Sequence, residues 1–124
     1  MKPSELEMQI LALLWARGPS TAREVLENMP DHKERAYTSI LSILQIMDKK
    51  GLVTRRREGL TDRWRPAQAK KNILGRYFGD LVSKVFGGKT SAAVQHLLES
   101  TEMDEAEFVE IERIISEHRK KARK

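Results

Sequence analysis

After Gly51 the sequence changes its period. Up to that glycine, apolar residues recur at helical spacing. Beyond it, Leu52-Val53-Thr54-Arg55-Arg56-Arg57 and Arg63-Trp64-Arg65 flank the segment Glu58-Gly59-Leu60-Thr61-Asp62. Short β-rich runs around a glycine-containing loop read as a hairpin. After Pro66 the helical spacing returns and persists to the end of the chain.

The segments before the hairpin carry their own boundaries. Ser4 with Glu7, and Thr21 with Glu24, have the spacing of capping boxes and open two helices. Leu6, Ile10, Leu13 and Leu14 form the inner face of the first, which ends at Arg17-Gly18-Pro19. The second is short, turns Val25, Leu26 and Met29 inward, and stops before Pro30. A polar connector, Asp31 to Glu34, leads to a third helix over about 35–50. Three helices and a hairpin predict an N-terminal winged helix-turn-helix over residues 1–69. The rest, 70–124, predicts three more helices: about 71–86, one capped by Thr90 or Ser91, and one opened by an Asp104–Glu107 box. The fold class is mainly α.

The third helix has two unlike faces. Ile40, Ile43, Leu44 and Met47 gather on one side at about 100° per residue. Thr38, Ser42, Gln45 and Lys49 lie opposite, polar but mostly uncharged. Short hydroxyl and amide side chains suit a helix laid in the major groove of DNA, with glutamine able to pair with adenine and lysine with a phosphate. A plain exposed face of a core helix is the alternative for this pattern taken alone. Charge distribution argues for DNA. Residues 33–71 hold eleven bases and four acids, a net +7 against +5 for the whole chain of 124 residues. Such a focus neutralises phosphates and releases counterions. Arg55, Arg57, Arg63 and Arg65 on the hairpin are placed to grip the backbone, while Trp64, alternating with arginines, is expected to face inward.

The C-terminal helices carry Leu74, Tyr77, Phe78, Leu81, Val85, Phe86, Leu97, Leu98, Phe108, Ile111 and Ile115. That is more apolar surface than three short helices hide alone, so a second copy of the chain is the expected cover. Packing back on the N-terminal domain is the alternative. Residues 99–112 contain seven acids and no base, so this half is not expected to touch DNA; the tail Arg119 to Lys124 is basic.

Other functions find little support. There is no cysteine, and His32, His96 and His118 are scattered, so no metal site and no cofactor is expected. No phosphate loop or nucleophile–base spacing points to an enzyme. No signal-peptide pattern opens the chain, and its longest apolar run, Ile10 to Ala16, is too short to span a bilayer, so the expected location is the cytoplasm.

Several motifs together resemble the penicillinase-repressor family, the BlaI, MecI and CopY group of bacterial repressors. They are Glu5-Leu6-Glu7 with Leu14-Trp15, Thr21-Ala22-Arg23-Glu24-Val25, Ala36-Tyr37-Thr38-Ser39-Ile40, Asp48-Lys49-Lys50-Gly51-Leu52-Val53 and Phe86-Gly87-Gly88. The likeness runs from about Ser4 to Ile115. It implies a homodimer on a palindromic operator that represses by blocking a promoter, with base contacts from Thr38, Ser39 and Ser42. Tyr37 joins them in the expected DNA-facing set. The resemblance also implies a membrane metalloprotease sensor that triggers cleavage in the dimerisation region, at a bond matching His96–Leu97. Three departures matter. The copper-responsive branch uses C-terminal cysteines that this chain lacks. Leu41 and Ile46 stand where some antibiotic-responsive members have basic residues, which implies a different operator. The wing tip Leu60-Thr61-Asp62 departs from a common Gly-Arg pattern. A winged-helix module that binds DNA without sequence choice, or binds protein partners, is the competing function; uniform affinity for any duplex would mark it.

Overall fold

The computed structural model describes residues 3–123. Met1 and Lys2 of the N-terminal stretch, and Lys124 of the basic tail, lie outside the described residues. Six helices and two strands follow one another as α1 (Glu5–Arg17), α2 (Ala22–Glu27), α3 (Tyr37–Lys49), β1 (Val53–Glu58), β2 (Thr61–Pro66), α4 (Lys70–Val85), α5 (Thr90–Ser100) and α6 (Glu105–Ala122). The chain divides into two compact units, Met1–Phe78 and Gly79–Lys124, and the division falls inside α4.

The first unit is a winged helix. Its helix starts are fixed by side chains that satisfy otherwise unpaired backbone N–H groups. The Glu7 N–H donates to Ser4 Oγ (3.2 Å) and the Ser4 N–H to Glu7 Oε1 (2.8 Å). Thr21 and Glu24 repeat the exchange at 3.1 and 2.9 Å. α3 ends in a Schellman turn: the Gly51 N–H donates to the Asp48 carbonyl and the Leu52 N–H to that of Met47. Gly51 sits at φ 77°, a conformation that a side chain would strain.

The core of this unit is continuous from α1 to the start of α4. Ile10, Leu11 and Leu14 of α1, Val25 of α2, and Ile40, Leu44 and Met47 of α3 are all buried, with Val53 and Trp64 closing it from the hairpin. Ile43 is only partly covered. Ile73, in the first turn of α4, is buried with this core. The hairpin is antiparallel with Glu58 opposite Thr61, so its turn is the two residues Gly59 and Leu60. The strands therefore run further than the five-residue loop Glu58–Asp62 expected from sequence. Only the first turn residue, Gly59, has positive φ (63°), the pattern of a type II′ turn. Trp64 also exchanges two backbone hydrogen bonds with Ser20, at 2.7 and 3.0 Å, which pins the second strand beside the start of α2.

The second unit holds the end of α4, α5 and α6. None of its described residues is buried. α5 begins at Thr90, one residue before a Thr90 cap and two before a Ser91 cap would allow: Lys89 is its N-cap, without a side-chain bond. At α6 only the forward half of the expected box forms, the Glu107 N–H donating to Asp104 Oδ1 at 2.9 Å. Two carboxylates three residues apart repel, so the return bond has little to gain. Among the described residues, no helix is long and apolar enough to cross a membrane, and no group of histidines and acids is placed to hold a metal ion.

Candidate nucleic-acid interface

α3 presents its polar face to solvent. Thr38, Ser39, Ser42, Gln45 and Lys49 are all exposed, directly opposite the buried Ile40, Leu44 and Met47. The flanks differ. Ser39 and Ile46 border one side, and Ile46 is 49% exposed. Tyr37 and Leu41 border the other, where they line a groove of about 560 Å³ with Gln45. The far wall of that groove is the hairpin, through Arg57, Leu60, Thr61, Asp62 and Trp64, and its end is the start of α2, through Thr21, Ala22 and Arg23. A helix with a free polar face and a basic two-stranded flap beside it is the shape that enters a major groove while touching the flanking backbone.

The register divides the wing arginines. Residues directly opposite in an antiparallel pair share a face. Arg55 stands opposite Trp64 and Arg57 opposite Asp62, so both lie on the core side. Arg55 is 5.7 Å from the Trp64 ring centroid and reaches Asp48 of α3 at 4.0 Å. Arg56, Arg63 and Arg65 lie on the other face. The four arginines expected to act together thus belong to two surfaces.

Their commitments differ too. Arg63 is tied down: its guanidinium bonds Glu24 (3.2 Å), Glu58 (3.2 Å) and the Pro19 carbonyl (3.3 Å). Glu24 also caps Thr21 and pairs with Arg17 at 3.6 Å. The Thr21 backbone bond, with the two arginines, holds its carboxyl below the ordinary range. Arg55 and Arg57 share the half-buried Asp62 at 3.7 and 3.6 Å. Arg65, Arg56 and Lys49 have no acidic partner among the described residues.

Sequence reasoning did not single out Arg23. It is exposed and sits over the Tyr37 ring, with Cζ 5.2 Å from the centroid. Its signal was present only as a basic residue inside a capping motif. Lys50 has a structural task instead: its ammonium meets the buried Glu7 carboxylate at 2.8 Å, joining the start of α1 to the end of α3. Burial raises the Glu7 carboxyl, but Lys50 and the Ser4 bonds outweigh it and hold the group below its ordinary value.

The sequence profile of the penicillinase repressor family matches residues 3–117. The chain belongs to the penicillinase repressor family. Among family relatives, the transcriptional regulator BlaI of Mycobacterium tuberculosis is 30% identical over 105 residues, spanning 83% of this chain and 76% of its own. The methicillin resistance regulatory protein MecI of Staphylococcus aureus is 18% identical over 113 residues, 91% of this chain and 92% of its own. A MarR family protein from Bacillus stearothermophilus shares the fold, with a TM-score of 0.51 and 21% identity over 98% of this chain and 76% of its own.

The C-terminal residues are as notable for their exposure as the polar face of α3. Tyr77, Phe78, Leu81, Val85, Leu97, Leu98, Phe108 and Ile115 are exposed, and Leu74, Phe86 and Ile111 are half-buried. Val85 and Leu97 are 65% and 61% exposed. Tyr77 and Phe78 meet edge to face at 5.9 Å. His96 and Leu97 lie in the body of α5, both exposed, so the bond between them is helical.

Proposed function

We propose that this chain is a sequence-specific transcriptional repressor that binds a palindromic DNA operator as a homodimer. The observation that carries this reading is the uncharged polar face of α3, left open to solvent beside an arginine-rich flap. Thr38, Ser42 and Gln45 meet base edges, with Ser39 and Tyr37 at the margins. Lys49, Arg55, Arg57 and Arg65 meet phosphates. Arg63 contributes mainly by holding the flap in place through Glu24. The names of the family relatives, both regulators, support repression as the outcome.

The dimer reading rests on the second unit. A helical unit with no described residue fully buried keeps its apolar side chains partly wet, and each exposed Leu or Phe forgoes part of the roughly 1.5–3 kcal/mol that full burial gives. A second copy covers such a surface by two-fold symmetry and sets two reading heads on adjacent half-sites. Family membership also supports release by proteolysis, at or near His96–Leu97, following a signal from a membrane metalloprotease sensor. Cutting there divides the apolar surface between two fragments.

Selection of bound duplexes from random DNA by the full chain tests the reading. One palindromic consensus is expected, and Ser42→Ala or Gln45→Ala shifts it at one position per half-site, at about 1–3 kcal/mol for a good base contact. Equal affinity for every duplex would make the chain an architectural module and overturn sequence-specific repression.

A further inference from the structure

Building on the DNA-binding reading, we infer that Arg23 is a phosphate-anchoring residue and that the Tyr37 ring positions it. Three observations converge. Arg23 is exposed at the end of the groove that also holds Gln45 and Arg57. No acidic group among the described residues makes an ion pair with it: Glu24 is taken by Arg17 and Arg63, Asp62 by Arg55 and Arg57, and Glu27, one turn on, does not reach it. Its Cζ lies over the Tyr37 ring, 5.2 Å from the centroid, within the range at which an aromatic face attracts and holds a cation.

An arginine held over an aromatic ring has donors left for an anion and loses less freedom on meeting one. Tyr37 is the first residue of α3, so the ring ties the cation on α2 to the start of the helix that reads the bases. A phosphate contact here carries no sequence information itself. It sets how deeply and at what register α3 sits in the groove. Tyr37 is thereby a positioning residue whose hydroxyl has no part in the contact.

The test measures binding of the full chain to a labelled mixed-sequence duplex, three helical turns long, across a salt series. Arg23→Ala is expected to weaken binding and to lower the log–log salt slope by about 0.9 per protomer, the value for one lost phosphate contact. Tyr37→Phe keeps the ring and is expected to keep the wild-type salt slope, whatever the hydroxyl adds to affinity. Tyr37→Leu is expected to lower the slope when Arg23 is present and to leave the slope of Arg23→Ala where it is. Melting curves of each variant separate these effects from loss of fold. An unchanged slope in Arg23→Ala overturns the anchor. A fall in slope with Tyr37→Leu that persists in Arg23→Ala, or a fall in slope with Tyr37→Phe, overturns the positioning role. Should Lys49→Ala and Arg56→Ala lower the slope while Arg23→Ala does not, this inference fails alone. A wild-type chain that binds no duplex would instead remove the DNA reading beneath it.

Discussion

Lys50→Met and Glu7→Gln remove the two halves of one ion pair and are expected to differ in cost. The Glu7 side chain is 5% exposed and that of Lys50 24%, with 2.8 Å between Oε1 and Nζ. At that distance the attraction is about 6 kcal/mol for an effective dielectric near 20, most of it offset by desolvation. Taking Lys50 away leaves a carboxylate buried with only the Ser4 bonds, which costs about 3 kcal/mol. Taking the charge from Glu7 is milder. Glutamine still accepts from the Ser4 N–H, as capping boxes allow, and Lys50 can turn its ammonium to water. About 1–2 kcal/mol is expected there. The double variant should cost less than Lys50→Met alone, because no charge is stranded. Urea unfolding at one fixed protein concentration reads all four chains, with an unchanged m value as the control. The pH dependence has a defined sign. The folded Glu7 carboxyl lies below its ordinary 4.5, so its stabilisation is fully present above that value and fades as pH falls through the folded value. The gap between wild type and Glu7→Gln should hold from neutrality to about 4.5 and then close. Equal costs for the two single variants, or a double variant equal to their sum, would refute the reasoning.

Other outcomes follow from the same geometry. Trp64→Ala empties a fully buried site and is expected to cost about 3–5 kcal/mol, read by thermal unfolding, with lower affinity for every duplex. Arg65→Ala should lower the salt slope of DNA binding with stability nearly unchanged, whereas Arg63→Ala should lower stability by about 1 kcal/mol and leave the slope alone, since its exposed pairs are weak individually. Phe78→Asp or Leu81→Asp should sediment as a monomer with poor operator affinity. A wild type that sediments as a monomer would contradict the dimer.

Much of the fold was legible because its boundaries are chemical. Ser4 with Glu7, Thr21 with Glu24, and Gly51 each satisfy backbone groups that a helix end leaves open, and each works as its residue type dictates. The inner face of α3 was legible from period alone. What escaped depended on parity and on long-range commitment. A loop from Glu58 to Asp62 would set Arg57 opposite Arg63 on one face. The two-residue turn sets Arg57 opposite Asp62 instead, and every arginine's face follows from that shift. Ser20 pairs with Trp64 through one isolated bridge, which has no periodic signal. Ile73 joins the first unit although it begins a helix of the C-terminal pattern. Arg63 looks free until Glu24 and Glu58 are brought beside it in space.

A helical unit in which no described residue is fully buried draws little folding free energy from its own chain. Its folding free energy contains the concentration of whatever covers it, and a self-covering surface makes that concentration the protein's own. With a second copy as the cover, dilution loosens residues 79–123 and opens α5 to attack by proteases. Abundance would thus govern lifetime as well as occupancy, and a small fall in level would tend to deepen itself.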